Sequence, residues 1–163
     1  MSKHEISSII RLHEDTVLFR EAVNFTAAQT LFLPRLIEKD YYCTVLLIHL
    51  AAADNRLVFK GGTCLAKVHA GFYRLSEDLD FVIPTPFEAS RSVRRALAAR
   101  FKKAVTQLPT MVDAFRVVEP LVGANNSTQY FAVIGYKSLI NSQEDTIKIE
   151  VGHLIFFCLF GIQ

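Results

Sequence analysis

The sequence predicts an α+β fold, with a mixed sheet of about five strands that is flanked by helices and preceded by N-terminal helices. Apolar residues recur at three- and four-residue spacings near the start of the chain, which is typical of amphipathic helices. Short alternating segments follow, and one long amphipathic pattern interrupts them. The 163 residues are 51% hydrophobic and 21% charged, so we treat residues 1–163 as a single domain with a buried core.

Two helical stretches precede residue 56. Residues 5–26 fit one or two amphipathic helices, and the pattern resumes over residues 27–53. Pro34 either restarts or kinks the second stretch. Asp54 and Asn55 are typical of a turn, which ends an N-terminal helical region at residues 1–55.

An α/β core is predicted over residues 56–152. Its strands are expected at residues 57–59, 78–83, 114–118, 129–136 and 146–151, with helices at residues 63–70 and 87–107. Pro84 and Pro86 should end the second strand. Glu144 and Asp145 should lie in the loop before the last strand. Residues 153–163 form an apolar tail, which we expect to pair with the sheet or to self-associate with a second copy of the chain.

Composition and charge argue against several classes of protein. The net charge is only +2, so no global field marks a nucleic-acid or membrane-surface binder. The three cysteines lie far apart without a C-x-x-C pair, which argues against a disulfide scaffold and a zinc site. The most apolar run, residues 154–160, is far shorter than the ~20 residues of a spanning helix. We therefore expect a cytoplasmic protein without a membrane partner.

A glycine turn between a strand and a helix is the first chemical signal. Lys60, Gly61, Gly62 and Thr63 follow the first predicted strand. Paired glycines let a backbone approach a phosphate closely, and a helix N-terminus supplies free N–H groups. A Gly-Gly pair alone is more often a simple turn, but in this setting it predicts half of a nucleotide site.

Paired carboxylates on the next predicted strand supply the other half of the nucleotide site. Asp78 and Asp80 alternate with apolar residues, so both acids should lie on one face. Carboxylates so placed can bind Mg²⁺, and a third usually completes a two-metal site for in-line attack on an α-phosphate. Glu150 is the best third residue because it lies between apolar neighbours on the last predicted strand. A D-x-D pair alone is otherwise a solvated strand or turn.

The predicted helix at residues 87–107 has a basic surface. Six cations lie on it with no acid among them: Arg91, Arg94, Arg95, Arg100, Lys102 and Lys103. Such a surface can hold an RNA backbone, and an ordinary solvated helix face explains it equally well.

These motifs resemble the AbiEii/AbiGii toxin family of nucleotidyltransferases, within the DNA polymerase β-type superfamily. Three segments carry the resemblance in the family's order: Glu38-Lys39-Asp40-Tyr41-Tyr42, Lys60-Gly61-Gly62-Thr63, and Arg74-x-Ser76-Glu77-Asp78-Leu79-Asp80. The resemblance implies transfer of a nucleotide from a nucleoside triphosphate, with Mg²⁺ or Mn²⁺, to an acceptor such as the tRNA 3′ end or another RNA. It also implies a toxin that a cognate antitoxin neutralises.

The resemblance also assigns roles to single residues. The catalytic and metal-binding residues would be Asp78, Asp80 and Glu150, and the nucleotide-binding residues would be Lys60, Gly61, Gly62, Thr63, Arg74 and Ser76. Lys39 and Asp40 would support the site. Family members continue into a further helical domain, so we expect a C-terminally shortened member. The alternative function is a catalytically weak module that binds a nucleoside triphosphate, RNA or the antitoxin.

Overall fold

The computed structural model describes residues 11–64, Leu75 and residues 77–156. A 3₁₀ turn at Leu12–Glu14 leads into α1 (Thr16–Thr30). Asp15 caps α1, because its carboxylate accepts hydrogen bonds from the backbone N–H groups of Val17 and Leu18. Leu31 ends α1 in a left-handed conformation, and α2 (Pro34–Ala53) begins directly at Pro34. The proline therefore restarts the helix, since the first helical position needs no N–H donor.

The rest of the chain builds a five-stranded mixed sheet. Its strands are β1 (Val58–Lys60), β2 (Asp78–Pro86), β3 (Phe115–Ala124), β4 (Gln129–Lys137) and β5 (Glu144–Phe156). The helices are α3 (Gly61–Cys64) and α4 (Arg91–Met111). The strand order is β1-β2-β5-β4-β3, with β2 and β5 parallel and all other neighbours antiparallel. The predicted α+β class and five-stranded sheet are confirmed.

One face of the sheet carries the core. Alternate residues of β2, β4 and β5 pack there against α2 and α4, and the most deeply buried are Leu79, Phe81, Ile83, Ile134, Ile147, Ile149 and Val151, with Leu46 and Leu50 of α2 and Phe101 and Leu108 of α4. The alternate residues between them point to the opposite face. In the part of the chain that the structure describes, α2 and α4 do not cover that second face, which only the start of α3 at Gly61 approaches, and we call it the open face.

β2 and β3 extend beyond their predicted ends. β2 does not end before Pro84 but continues through Pro86. Pairing with β1 stops at Val82, whereas pairing with β5 continues to the end of the strand. The prolines, which lack an N–H donor, therefore lie beyond the β1 contact, where that edge needs no donor. β3 reaches Ala124 because register shifts on either side of Glu119 accommodate Pro120.

α4 is displaced from its predicted position. It begins at Arg91 because the side chain of Ser90 accepts a hydrogen bond from the N–H of Val93, and it ends at Met111. The predicted helix at residues 63–70 begins earlier, at Gly61, and residues 65–70 lie outside the described residues. No helix within the described ranges combines the length and apolar character needed to cross a bilayer.

β5 is the longest strand and corrects one expectation. Glu144 and Asp145 are not loop residues, because they pair with Lys137 and Tyr136 of β4. At its other end, β5 continues past residue 152 and pairs residues 153–156 with residues 83–86 of β2. The first part of the predicted apolar tail therefore belongs to the sheet. Residues 157–163 lie outside the described residues.

Candidate functional site

The three predicted carboxylates come together on the open face. Asp78 and Asp80 alternate with Leu79, which is fully buried in the core. β5 runs parallel to β2 in a register that places Glu150 beside Asp80 and Lys148 beside Asp78. Neighbouring strands lie only ~4.8 Å apart. Two adjacent strands thus present the three acids to the same side of the sheet.

Two rows of cross-strand neighbours form the site. The first row contains Asp78, Lys148, Val133 and Glu119. The second row contains Lys60, Asp80, Glu150, Phe131 and Val122. A cavity of about 340 Å³ lies over both rows, which is within the size range of small-molecule sites.

Gly61 packs directly against Asp80. The backbone of Gly61 has φ +78°, a conformation that residues with a side chain rarely adopt. A Cβ atom at this position would overlap Oδ2 of Asp80 and would lie 3.2 Å from its Cβ and Cγ atoms. The turn between β1 and α3 therefore reaches the carboxylate only because residue 61 is a glycine.

The other predicted nucleotide-binding residues are only partly described. Lys60 is exposed and lies beside Asp80 in the β1–β2 pairing, and Gly62 is also exposed. Thr63 belongs to α3, but its side chain is not among those described. Arg74 and Ser76 lie outside the described residues. Their assignments to the nucleotide stay predictions.

Three residues of this face were not predicted from the sequence. Lys148 lies two positions before Glu150, so the same alternation that selected Glu150 also places Lys148 on the open face. Phe131 is 43% exposed beside Glu150 and could have been found from the alternation of β4. Glu119 enters the first row through the irregular register of β3, and no sequence signal reveals that register.

Lys39 supports the site from the helical side. Its side chain is buried, and its Nζ atom lies 3.5 Å from Oε2 of Glu77 and 3.7 Å from Oδ1 of Asp145. Glu77 immediately precedes Asp78, and Asp145 is the second residue of β5. One buried cation of α2 therefore links the beginnings of the two strands that carry the acids.

Glu38 fixes the loop that precedes β5. Its fully buried carboxylate accepts hydrogen bonds of 2.6 Å from the Ser138 hydroxyl and 2.6 Å from the Leu139 N–H. Burial raises the pKa of the Glu38 carboxyl, although these hydrogen bonds act in the opposite direction. Glu38 and Lys39 are adjacent in α2. Glu38 therefore holds the connection from β4 to β5, and Lys39 holds the start of β5.

The donor set suits a hard cation. Asp78, Asp80 and Glu150 supply only carboxylate oxygens, which Mg²⁺ and Mn²⁺ prefer over softer ligands. Within residues 11–64, 75 and 77–156, no group of three His, Cys, Asp or Glu side chains is arranged closely enough to hold a metal ion as the side chains stand. The metal assignment stays a prediction that rests on residue type and strand register.

A mixed sheet with acids on two adjacent strands and a glycine turn against one of them is an arrangement suited to nucleotidyl transfer. The sequence model described as "Nucleotidyl transferase AbiEii toxin, Type IV TA system" matches residues 45–154, more than half of the chain. The chain therefore belongs to the AbiEii family of nucleotidyltransferase toxins, as its motifs predicted.

Two solved structures are also similar to the chain. One is JHP933 from Helicobacter pylori, with 24% identity and a TM-score of 0.44 over 71% of this chain and 44% of that one. The other is described as a candidate nucleotidyltransferase from H. pylori, with 24% identity and a TM-score of 0.44 over 71% of this chain and 45% of that one. This chain spans less than half the length of either protein. No curated protein matches it significantly.

Proposed function

We propose that this chain is a divalent-cation-dependent nucleotidyltransferase toxin that transfers a nucleotide from a nucleoside triphosphate to an RNA acceptor. The tRNA 3′ end is the acceptor we favour, and a cognate antitoxin is the expected partner. One observation carries the proposal: Asp80 and Glu150 lie side by side on parallel strands, with Asp78 on the same face and the Gly61 turn against Asp80. Membership in the AbiEii family supports it.

The residues of the open face have two roles, binding the divalent cation and binding the phosphates. Asp78, Asp80 and Glu150 would hold Mg²⁺, which when bound supplies positive charge against the phosphate oxygens. Lys60 and Lys148 add side-chain cations on the same face, where they favour a polyphosphate. The acceptor hydroxyl loses its proton to water and forms the new bond to the α-phosphorus, while the bond from the α-phosphorus to the bridging oxygen of the β-phosphate breaks and pyrophosphate leaves. No residue of the chain needs to form a covalent bond.

A comparison of two Asp→Asn variants tests this proposal. Purified protein is incubated with MgCl₂, a labelled nucleoside triphosphate and total tRNA, and both label incorporation and pyrophosphate release are measured. Asp80→Asn should lower the transfer rate on the order of 10²-fold or more, because a charged group at the reacting phosphate is lost. Asp113→Asn removes an exposed carboxylate in the connection between α4 and β3, away from the open face, and should retain the wild-type rate.

The same assay separates the two classes of function. Wild-type protein that binds the nucleotide but releases no pyrophosphate would be the binding module, and the enzymatic proposal would fail. Equal rates for wild type and Asp80→Asn would instead show that transfer does not use this face.

A further inference from the structure

A second cavity, of about 560 Å³, lies between α4 and β3. Its described lining shares no residue with the cavity over the acids. α4 contributes Arg91, Arg95 and Lys102, and the polar groups on the other side come from Ser127 and Tyr130. The described lining residues include no Asp or Glu.

The three cations form one linear array. Arg91 and Arg95 are four residues apart and Lys102 is seven further on, so all three project from the same side of α4. At 1.5 Å per residue they extend over about 16 Å of the helix. None of them forms an ion pair with a carboxylate in the described part of the chain. This spacing fits several successive anionic groups better than a single compact anion.

Arg94, on the same helix, has a structural role. Its guanidinium donates hydrogen bonds to the carbonyl oxygens of Ala89 at 2.5 Å and Asn126 at 2.9 Å. These bonds join the start of α4 to the turn at residues 125–127, which contains the cavity residue Ser127. Arg91, three residues before Arg94, and Arg95, the residue after it, make no such bonds to described residues.

Tyr130 supplies an independent sign of a ligand. It lines the cavity, is only 6% exposed, and its hydroxyl has no hydrogen-bond partner among the described residues. A buried hydroxyl without a partner destabilises the fold, because it has lost its hydrogen bonds to water. Gly123 leaves room for the ring, because a Cβ there would lie 3.0 Å from Cε1 of Tyr130. An acceptor oxygen entering this cavity would satisfy the phenol.

We propose that this cavity binds the phosphate groups of an RNA strand, with Arg91, Arg95 and Lys102 along the backbone and Tyr130 as a hydrogen-bond donor. The choice of RNA rests on the proposed function, which requires an RNA acceptor. β3 lies three strands from β2, or about 14 Å across the sheet. The cavity lies on the side of the sheet that α4 covers, whereas the acids lie on the open face, so one RNA strand reaches both by passing around the edge strand β3.

Binding to a fluorescein-labelled single-stranded RNA tests the proposal by fluorescence anisotropy over a series of salt concentrations. All proteins carry Asp80→Asn and no nucleoside triphosphate is added, so failure of transfer does not affect the result. A double variant, Arg91→Gln with Arg95→Gln, should weaken binding about tenfold. It should also reduce the slope of log affinity against log salt by ~1.4, since each lost phosphate contact contributes ~0.7.

Two neighbouring lysines give a matched control. Lys102→Gln should weaken RNA binding severalfold, whereas Lys103→Gln, which removes an exposed cation that does not line the cavity, should change it less than about twofold. Tyr130→Phe should weaken binding without changing the salt slope, because it removes a neutral donor. Equal effects of the two lysine variants would refute the proposal.

Competitors identify the source of the phosphate. Unlabelled RNA should displace the labelled strand far better than inorganic triphosphate or polyglutamate. Stronger displacement by triphosphate would indicate a free-nucleotide site, and stronger displacement by polyglutamate would indicate an acidic protein partner. Either result overturns the RNA assignment, while transfer activity of the unmodified enzyme tests the proposed function separately.

Discussion

Replacing Gly61 with alanine should damage both the fold and the acidic site. A residue with a side chain in the left-handed region costs about 1–2 kcal/mol, and Gly61 has φ +78°. The new methyl group would also overlap the Asp80 carboxylate, which must then move away. We expect Gly61→Ala to lower the free energy of unfolding by about 2 kcal/mol in urea titrations followed by circular dichroism.

Gly152→Ala is the matched control on the same face. Gly152 is next to Val82 in the β2–β5 pairing, and a Cβ there would lie 3.8 Å from Cγ1 of Val82, an ordinary contact. Its φ is not in the left-handed region. This variant should be as stable as wild type or more stable by about 0.4–1 kcal/mol, because alanine restricts the unfolded chain.

Transfer activity is the second measurement that distinguishes Gly61→Ala from Gly152→Ala. A displacement of about 1 Å at a reacting group costs on the order of 10²-fold in rate, so Gly61→Ala should lose most of its transfer activity while Gly152→Ala keeps it. If Gly61→Ala unfolds at the same urea concentration as wild type, the close contact with Asp80 does not exist in solution. If it is destabilised but fully active, the acids are not the reacting site.

Three further outcomes are expected. Lys39→Met should lower transfer about tenfold because both site strands lose their common cation, whereas Arg35→Met, which removes only an exposed 3.6 Å ion pair with Asp145, should have little effect. Glu38→Gln tests the buried carboxyl: its pKa is raised in the folded state, so protonation stabilises the fold. Wild type should therefore lose stability relative to Glu38→Gln as the pH rises from the ordinary value of 4.5 through the folded-state pKa. Chelation with EDTA should abolish transfer, and MgCl₂ or MnCl₂ should restore it.

Local pattern was enough to predict the acidic strand pair. Alternation of acids with apolar residues placed Asp78 and Asp80 on one face and Glu150 on the matching face of another strand. The structure added the one fact that alternation cannot supply, namely that β5 lies parallel to β2 with Glu150 beside Asp80. Strand order depends on contacts between residues that are far apart in sequence.

The parts that sequence could not predict share a physical cause. Glu144 and Asp145 resemble a loop because they are polar, yet pairing with β4 supplies the hydrogen bonds that their own pattern does not suggest. Glu119 reaches the site through an irregular register. Lys39 was expected to support the site, but its partners Glu77 and Asp145 could not be named because they lie in distant segments. Tertiary contacts decide all three cases.

The register of β2 and β5 creates two cross-strand pairs with opposite electrostatic effects on stability. Asp78 lies beside Lys148, an opposite-charge pair, whereas Asp80 lies beside Glu150, a like-charge pair that destabilises a sheet by about 0.2–1 kcal/mol. A fold selected for stability alone would not keep the second pair, so we interpret it as stability given up for a binding site.

This interpretation predicts opposite effects from the same chemical change. Glu150→Gln removes the repulsion without losing an opposite-charge partner, because Glu150 lies beside Asp80 and Phe131, whereas Asp80 also lies beside Lys60. This variant should raise the free energy of unfolding by up to about 1 kcal/mol while it abolishes transfer. Asp78→Asn removes an attraction and should lower the free energy of unfolding by a similar amount. Urea titrations of the two variants, without divalent cation and at low salt, measure the difference directly. If both variants lose stability equally, Glu150 stabilises the fold, and the interpretation that the like-charge pair was kept for function is wrong.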